Sequence, residues 1–376
     1  MTREPLKRFA FFLLTYVGTL GAANSAPVAL TPPDMSTYIL QISKMNGSEL
    51  CMVGQTMDPN GDLQSRGKVI IFNTAKNKVL WQQTVDAPDD NATVRFVACR
   101  SDGKFTYVGA NVDTHSERSL SQALAYVYKF DAVGKLLGKK ELVTGGTNAF
   151  VYDLDVDSTG VTVIGMTSKG KAAAKANAIY FAKTDVDLKA SSMTKLATGA
   201  YQNGSIVKLS GNVALVGGNF LPAVTKKAVN DYAVSKIVAG KYQFSVRPQQ
   251  GKPDQVATAI TATGDIVSLG NFGNASVLTA VSAEGKTTQT IPVKSALCQT
   301  ESMSANAESV FAVRKGCAHP EEPAKLVAIN RRSGVETIKV GMAGVPLFVF
   351  PLDEKVFVVT KNNDGSLLLH SFRQGE

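Results

Sequence analysis

Three aspartates, Asp153, Asp155 and Asp157, alternate along one predicted strand. Because successive side chains of a strand point to opposite faces, these three carboxylates share one face. Carboxylates this close repel one another unless water, a cation or a basic neighbour compensates their charge. The pattern therefore predicts a candidate site for a divalent cation, although Asp157 is also placed to start a tight turn at residues 157–160.

A second acidic cluster has the spacing of the first half of a calcium-binding loop. It consists of Asp58, Asn60 and Asp62. Leu63 stands where such a loop needs glycine at its sixth position, and Val69 stands where it needs glutamate at its twelfth. We therefore keep two interpretations, a cation site and a solvated turn. Beyond a divalent cation, no cofactor is predicted.

The three histidines of the chain are His115, His319 and His370. None of them stands in the pattern of a nucleophile elbow, a zinc-binding helix or a phosphate-binding loop. No catalytic residue is assigned for this reason. A site assembled from distant segments would leave no such motif, so an enzyme remains the alternative hypothesis.

The elements that must position these residues recur along the chain. Short apolar runs end in a glycine, and these glycines are 55, 56, 52 and 53 residues apart: Gly54, Gly109, Gly165, Gly217 and Gly270. Two further runs, at 310–313 and 356–359, have the same character without the glycine. Alternating apolar runs between turns indicate strands, so the chain is predicted to be an all-β repeat protein.

Each repeat of about 50 residues accommodates four strands, which we name A to D, and this is typical of a β-propeller. The A strands are expected to begin near Tyr38, Val94, Tyr152, Ser205, Gln255, Leu297 and Pro346. That spacing predicts seven blades of four antiparallel strands. The seventh blade lacks a D strand, which residues 28–30 are expected to supply, closing the ring. A pair of β-sandwiches and a β-helix are the alternatives.

The repeats resemble those of bacterial secreted propellers of the quinoprotein-like kind, and the resemblance extends over residues 26–376. It implies one propeller domain in an exported protein. Quinoprotein enzymes have a tryptophan in most blades, whereas Trp81 is the only tryptophan here. Quinone chemistry is therefore not expected.

The N-terminus has the pattern of a secretory signal peptide. Arg3, Lys7 and Arg8 precede a short apolar stretch at 9–20, and small residues follow at 22–26. The stretch is shorter than the roughly 20 residues that span a bilayer. We expect cleavage between Ala23 and Ala26, so that residues 1–25 form the signal peptide. The mature protein would then be periplasmic or extracellular, without a membrane span.

Four cysteines in an exported chain predict two disulfides. In the predicted strand register, Cys51 and Cys99 lie at the same end of neighbouring blades, and Cys298 faces Cys317 across one hairpin. We therefore predict the pairs Cys51–Cys99 and Cys298–Cys317. Four reduced, buried thiols are the alternative.

The predicted B–C loops are long, at 57–67, 111–122, 168–177, 220–231 and 315–323. Long loops on a rigid scaffold commonly carry binding residues. The predicted binding face contains a basic arc and two histidines: Lys169, Lys171, Lys175, Lys226, Lys227, His115 and His319. Such a face suits a protein or polysaccharide partner. Aromatic residues are not interleaved there, so nucleic acid is not a predicted partner.

The formal net charge of +9 is spread along the chain, as on an ordinary solvated surface. The main hypothesis is an exported, non-catalytic binding or scaffold propeller that presents its B–C loops. The alternative is a periplasmic propeller enzyme, either a lyase, a lactonase-like hydrolase or an oxidoreductase subunit. Its site would lie at the mouth of the central channel, and fold alone does not choose between the two.

Overall fold

A computed structural model describes residues 26–32, 36–57, 65–87, 92–114, 122–168, 178–195, 200–201, 206–221, 231–248, 255–272, 275–316, 321–339 and 342–373. The described residues form strands and turns without a helix, in seven antiparallel sheets. In each sheet, strands that follow one another in the chain lie side by side. The predicted seven-bladed β-propeller is confirmed.

The first three blades each contain four strands in chain order. Blade 1 contains β2 (Ser36–Lys44), β3 (Glu49–Met57), β4 (Ser65–Asn73) and β5 (Lys78–Val85). Blade 2 contains β6 (Ala92–Ser101), β7 (Thr106–Thr114), β8 (Gln122–Phe130) and β9 (Leu136–Glu141). Blade 3 contains β10 (Asn148–Asp157), β11 (Gly160–Ser168), β12 (Ala178–Thr184) and β13 (Ser191–Lys195).

In blade 4 the A strand is split, because β14 and β15 both pair with β16. This blade contains β14 (Ala200–Tyr201), β15 (Ile206–Ser210), β16 (Val213–Leu221), β17 (Asp231–Val238) and β18 (Lys241–Val246). Blade 5 contains β19 (Gln255–Ile260), β20 (Ile266–Phe272), β21 (Ala275–Val281) and β22 (Thr287–Val293). Blade 6 contains β23 (Leu297–Ala305), β24 (Ser309–Gly316), β25 (Lys325–Asn330) and β26 (Glu336–Lys339).

Blade 7 joins the two ends of the propeller. It contains β27 (Val345–Leu352), β28 (Lys355–Lys361), β29 (Leu367–Arg373) and the early strand β1 (Val28–Ala29). Val28 pairs with Leu369, and the backbone nitrogen of Leu30 donates to the carbonyl of Leu367 at 2.8 Å. Because the Leu30 side chain is fully buried, the predicted closing strand is anchored by packing as well as by pairing.

The A strands form the inner ring of the propeller, since those of neighbouring blades contact each other all round. Seven apolar clusters fill the molecule, one between each pair of neighbouring blades. Each sheet therefore buries both of its faces. In the part of the chain that the structure describes, no helix is long and apolar enough to cross a membrane.

In blades 1, 2 and 3 the repeated glycine of the sequence lies opposite a β-bulge in the A strand. In blade 1 the register shifts between Ile39 and Gln41, and Gly54 pairs with Ile39. A Cβ added to Gly54 would lie 1.8 Å from the carbonyl oxygen of Tyr38. Gly165 has the same place in blade 3, where an added Cβ would lie 2.0 Å from a carbonyl oxygen. The glycine is needed because the bulged backbone approaches so closely.

Candidate functional site

The negative charge of Asp153, the first of the three predicted aspartates, is compensated by an arginine of the preceding blade. The side chain of Asp153, on β10, is fully buried, and its Oδ2 lies 3.0 Å from Nη2 of Arg100 on β6. The same oxygen accepts a hydrogen bond from the backbone nitrogen of Leu209 at 2.9 Å. Burial raises the pKa of Asp153, and Arg100 offsets only part of this effect. Of the compensating groups that the sequence allowed, which were water, a cation and a basic neighbour, the structure shows a basic neighbour at Asp153, namely Arg100.

The other two aspartates of β10 bind backbone nitrogens. Asp155 accepts from Gly211 of blade 4 at 2.5 Å. Asp157 accepts from the Thr159 hydroxyl at 2.5 Å and from the Thr159 nitrogen at 2.7 Å, and these bonds lower its pKa. Among the described residues, no three His, Cys, Asp or Glu side chains converge as metal ligands. A cation on this strand stays a prediction.

The A strands of several blades contain a β-bulge, and in three of them the side chain of the residue after the bulge accepts a hydrogen bond from a backbone nitrogen. Gln41 Oε1 accepts from the backbone nitrogen of Cys99 at 3.2 Å, and Ser302 Oγ accepts from that of Val349 at 3.3 Å. Asp153 follows its own bulge and accepts from Leu209 in the same way. Each acceptor reaches the A strand of the next blade. Because a bulge redirects the side chain after it, these polar groups join neighbouring blades.

A chain of polar contacts follows the inner ring across five blades. Arg100 Nη1 donates to Ser43 Oγ of blade 1 at 2.7 Å, while its Nη2 reaches Asp153 of blade 3. Lys208 of blade 4 donates to the carbonyl of Thr261 beyond the A strand of blade 5 at 3.3 Å. Burial, followed by the charge of Arg100, lowers the pKa of Lys208. The observed contacts of these groups hold blades together.

One predicted disulfide is present. Cys51 of β3 and Cys99 of β6 are joined, with Cα atoms 6.3 Å apart, and both are fully buried between blades 1 and 2. Cys298 forms no disulfide with another described residue, and Cys317 lies outside the described residues. The Cys298–Cys317 pair stays a prediction.

The calcium-like cluster and the predicted binding face lie outside the described residues. They comprise Asp58, Asn60, Asp62, Lys169, Lys171, Lys175, Lys226, Lys227, His115 and His319. Both hypotheses stay predictions. His370 is described, and its Nε2 lies 3.0 Å from Thr360 Oγ1 and 3.1 Å from the carbonyl of Ala343.

The structure adds a feature that the sequence did not predict, a cleft of mixed polar and apolar lining between blades 1 and 2. Its volume is about 450 Å³. One side is the end of strand β5, and the other is the C–D turn of blade 2 with the start of β9. The lining residues are Gln83, Thr84, Val85, Asp86, Phe130, Val133, Lys135 and Leu136.

Large apolar side chains are exposed beside this cleft. Val133 is 75% exposed and Leu136 is 42% exposed, and Leu80 and Leu137 are exposed nearby. The C–D turn is held against blade 1, where a Cβ added to Gly134 would lie 2.6 Å from the ring of Trp81. The one sign of the cleft in the sequence was the apolar content of the turn at 132–137. It did not predict a cleft, because the exposure of these side chains depends on how blade 2 lies against blade 1.

Charged side chains of both signs lie around the cleft. Asp86 is paired with Arg66 at 3.2 Å, and Glu141 accepts from the hydroxyl of Tyr126 at 3.0 Å. Lys135 and Lys139 form no ion pair with a described carboxylate. The Nζ of Lys139 lies 5.8 Å from the centroid of the Tyr126 ring.

Comparison with known proteins places the chain in the class of β-propellers. No protein-family model and no curated protein sequence matches it. Among solved structures, it is similar to YCF48 bound to the D1 peptide, at 12% identity and a TM-score of 0.55, covering 93% of this chain and 94% of that one. A catalytically inactive virginiamycin B lyase from Staphylococcus aureus with quinupristin is also similar, at 10% identity, a TM-score of 0.54 and coverage of 92% and 98%.

The propeller of the Trilobed protease from Pyrococcus furiosus matches at 12% identity and a TM-score of 0.50, covering 92% of this chain and 95% of that one. That propeller has an open velcro topology, whereas here β1 pairs with β29. At these identities the likeness shows the fold alone.

Proposed function

We propose that this chain is an exported, non-catalytic propeller that binds a protein partner. The observation that carries the proposal is the rim cleft between blades 1 and 2, where Val133 and Leu136 are exposed. Contiguous exposed apolar side chains with a polar surround are typical of protein-binding surfaces. The similar propeller YCF48 is bound to a peptide, which shows that the fold accommodates this use.

Export is supported by two observations. The sequence at 1–25 has the pattern of a signal peptide, and the buried Cys51–Cys99 disulfide is typical of oxidising compartments such as the periplasm. The polar groups of the inner ring support a scaffold role, because Arg100 and Asp153 bind each other and neighbouring blades.

Affinity capture with the mature protein, residues 26–376, tests the proposal. The wild type is compared with a rim variant, Val133→Glu with Leu136→Glu, by cross-linking to exported proteins of the source cell. Val335→Glu is the matched control, since Val335 lies in the C–D turn of blade 6 and is 61% exposed. We expect one partner that the wild type and the control retain and that the rim variant loses at least about tenfold.

Other outcomes would redirect the assignment. Loss of the partner in Lys226→Glu with Lys227→Glu, but not in the rim variant, would move binding to the B–C loops. Retention of a polysaccharide in place of a protein would change the class of partner. Turnover of a small molecule, abolished by Lys208→Met, would instead support the enzyme hypothesis, with its site at the channel.

A further inference from the structure

We infer that Lys208, on the inner ring of the propeller, is a nucleophilic amine that binds small aldehydes as an imine. This inference goes beyond the proposed protein-binding function and concerns a different part of the molecule. Three features carry it, namely the position of Lys208, the contact that holds its amino group and the positive charge fixed beside it.

The first feature is the position of Lys208. This residue lies on β15, which belongs to the split A strand of blade 4 and therefore to the inner ring. Its side chain is half-buried, whereas that of Leu209 is buried. Burial takes water away from the amino group and disfavours its charged form, while the remaining exposure leaves a small molecule access to it.

The second feature is the contact that holds the amino group. Nζ of Lys208 donates to the carbonyl oxygen of Thr261, just beyond the A strand of blade 5, at 3.3 Å. A neutral amine that donates one N–H bond in this way keeps its lone pair for a carbonyl carbon. The hydrogen bond therefore orients the nucleophile without using the electron pair that reacts.

The third feature is a fixed positive charge close to Lys208. Nη2 of Arg100 and the backbone nitrogen of Leu209 bind the same oxygen of Asp153, at 3.0 Å and 2.9 Å. The guanidinium is thus close to the backbone of Lys208, and a further bond to Ser43 Oγ at 2.7 Å holds it in place. A guanidinium stays charged in proteins, and a cation beside a lysine favours the neutral, nucleophilic amine.

Two carboxylates of β10 lie in the same region. Asp153 favours the charged form of Lys208, whereas burial and the charge of Arg100 favour the neutral form. Asp155 binds the backbone nitrogen of Gly211 at 2.5 Å. Burial and Arg100 outweigh Asp153, so that the pKa of Lys208 is lowered. At a given pH a larger fraction of Lys208 is therefore neutral than of a solvated lysine.

The reaction is a condensation that needs no other reagent. The lone pair of Nζ attacks the aldehyde carbon, a C–N bond forms, and a proton passes from nitrogen to oxygen to give a carbinolamine. The C–O bond then breaks, the hydroxyl leaves as water with a second proton from nitrogen, and a C=N bond remains. Nothing is oxidised or reduced, and water reverses the reaction. The inner ring would thus hold an aldehyde reversibly.

The test uses the mature protein, residues 26–376, with benzaldehyde as the probe and sodium cyanoborohydride to trap the imine as a stable amine. Peptide mass spectrometry measures the rate of labelling at each lysine. Lys236 of blade 4 is the matched control, because it is also half-buried and its Nζ donates to the carbonyl of Ala283 at 3.2 Å. Its charge acts on a carboxylate, that of Glu284. We expect Lys208 to be labelled at least about tenfold faster than Lys236 near neutral pH.

A variant tests the role of the fixed charge. Arg100→Gln with Asp153→Asn removes both members of the ion pair, and its folding is checked by its thermal melt. We expect labelling of Lys208 to slow in this variant and labelling of Lys236 to stay the same. An unchanged rate at Lys208 would overturn the role of Arg100.

The wild type alone decides the main point. Labelling of Lys208 no faster than that of Lys236 would overturn the inference, whatever the variant does. Without cyanoborohydride the label should disappear on dialysis, because water hydrolyses the imine. A label that persisted would also contradict reversible imine formation.

Discussion

The interface between blades 1 and 2 and the interface between blades 5 and 6 each contain an apolar cluster, but the further groups that join them differ. Blades 1 and 2 share the Cys51–Cys99 disulfide and an aromatic contact in which the ring centroids of Trp81 of blade 1 and Phe130 of blade 2 are 6.0 Å apart. Blades 5 and 6 instead share a buried arginine. Arg314 of β24 is fully buried and lies 2.6 Å from Glu336 of β26.

The buried arginine of blade 6 reaches into the preceding blade. Nη2 of Arg314 donates to Asn271 Oδ1 at 3.2 Å and to Ser276 Oγ at 2.9 Å, both on blade 5. Arg314 pairs with Thr300 just before a bulge, so it occupies the position that Gly54 occupies in blade 1. One register position thus serves a close backbone approach in one blade and a polar bridge in another. Blades of the same topology can therefore depend on very different chemistry.

The largest effect is expected when the carboxylate that pairs with Arg314, at the interface between blades 5 and 6, is removed. Glu336→Ala leaves the charge of Arg314 buried and unpaired, and we expect the free energy of unfolding to fall by about 3–5 kcal/mol. Urea denaturation followed by circular dichroism measures this loss. The double variant Arg314→Met with Glu336→Leu is expected to regain most of it. A single variant as stable as the wild type would contradict the role of the pair.

The second test removes the covalent link of the other interface. The variant Cys51→Ala with Cys99→Ala frees a loop with a sequence separation of 48 residues. We expect a loss of about 2–4 kcal/mol, because the link restricts the unfolded chain. The wild type should show the same loss when unfolded in reductant, whereas the double variant should not respond to reductant. If the double variant also lost stability in reductant, the effect of reductant on the wild type would not come from the Cys51–Cys99 disulfide.

A third test asks whether the glycine position is interchangeable between blades. In Gly54→Ala the added Cβ meets the carbonyl oxygen of Tyr38, so we expect a loss of about 1–3 kcal/mol. Arg314→Ala changes the equivalent position in blade 6, where the loss of unfolding free energy should come from the lost hydrogen bonds and ion pair instead. Gly138→Ala is the control, since nothing lies within 4 Å of its added Cβ. Equal stability of Gly54→Ala and the control would refute the steric explanation.

The smallest expected effect concerns pH and a third interface, between blades 3 and 4. Burial raises the folded-state pKa of Asp153, so the folded state holds this proton more tightly than the unfolded state does. The stability that Asp153 contributes is therefore greatest below its unfolded pKa of about 3.9 and falls as the pH rises above it.

In Asp153→Asn this dependence is absent. The difference in unfolding free energy, wild type minus variant, is expected to decrease as the pH is raised from about 3 towards neutrality. Parallel urea titrations across that range measure it. A difference that grows with pH would mean that Arg100 outweighs the effect of burial.

The elements that repeat in the sequence were predictable from it. The spaced glycines indicated seven blades, and the short seventh repeat indicated that residues 28–30 complete it, as the pairing of Val28 with Leu369 confirms. The Cys51–Cys99 pair followed from strand register alone. Periodicity is local, so it reports strand order and orientation well.

Contacts between blades were not predictable in the same way. Arg100 and Asp153 are 53 residues apart, and nothing local in either segment indicates the partner. The bulges that direct Gln41 and Ser302 towards the next blade each add one unpaired residue to the A strand, which shifts the alternation of inward and outward side chains. The exposure of Val133 depends on how blade 2 lies against blade 1. Each of these features requires the assembled ring.

Because β1 pairs with β29, the first described strand cannot pair until the last described strand has been synthesised. In synthesis from the N-terminus, residues 28–30 emerge early, while Leu367 and Leu369 are added more than 330 residues later. Until then the apolar side chain of Leu30 lacks its packing partners in blade 7, and blade 7 has no fourth strand. The ring therefore cannot close before residues 367–369 are synthesised, and a chain truncated before residue 367 lacks the strand with which residues 28–30 pair.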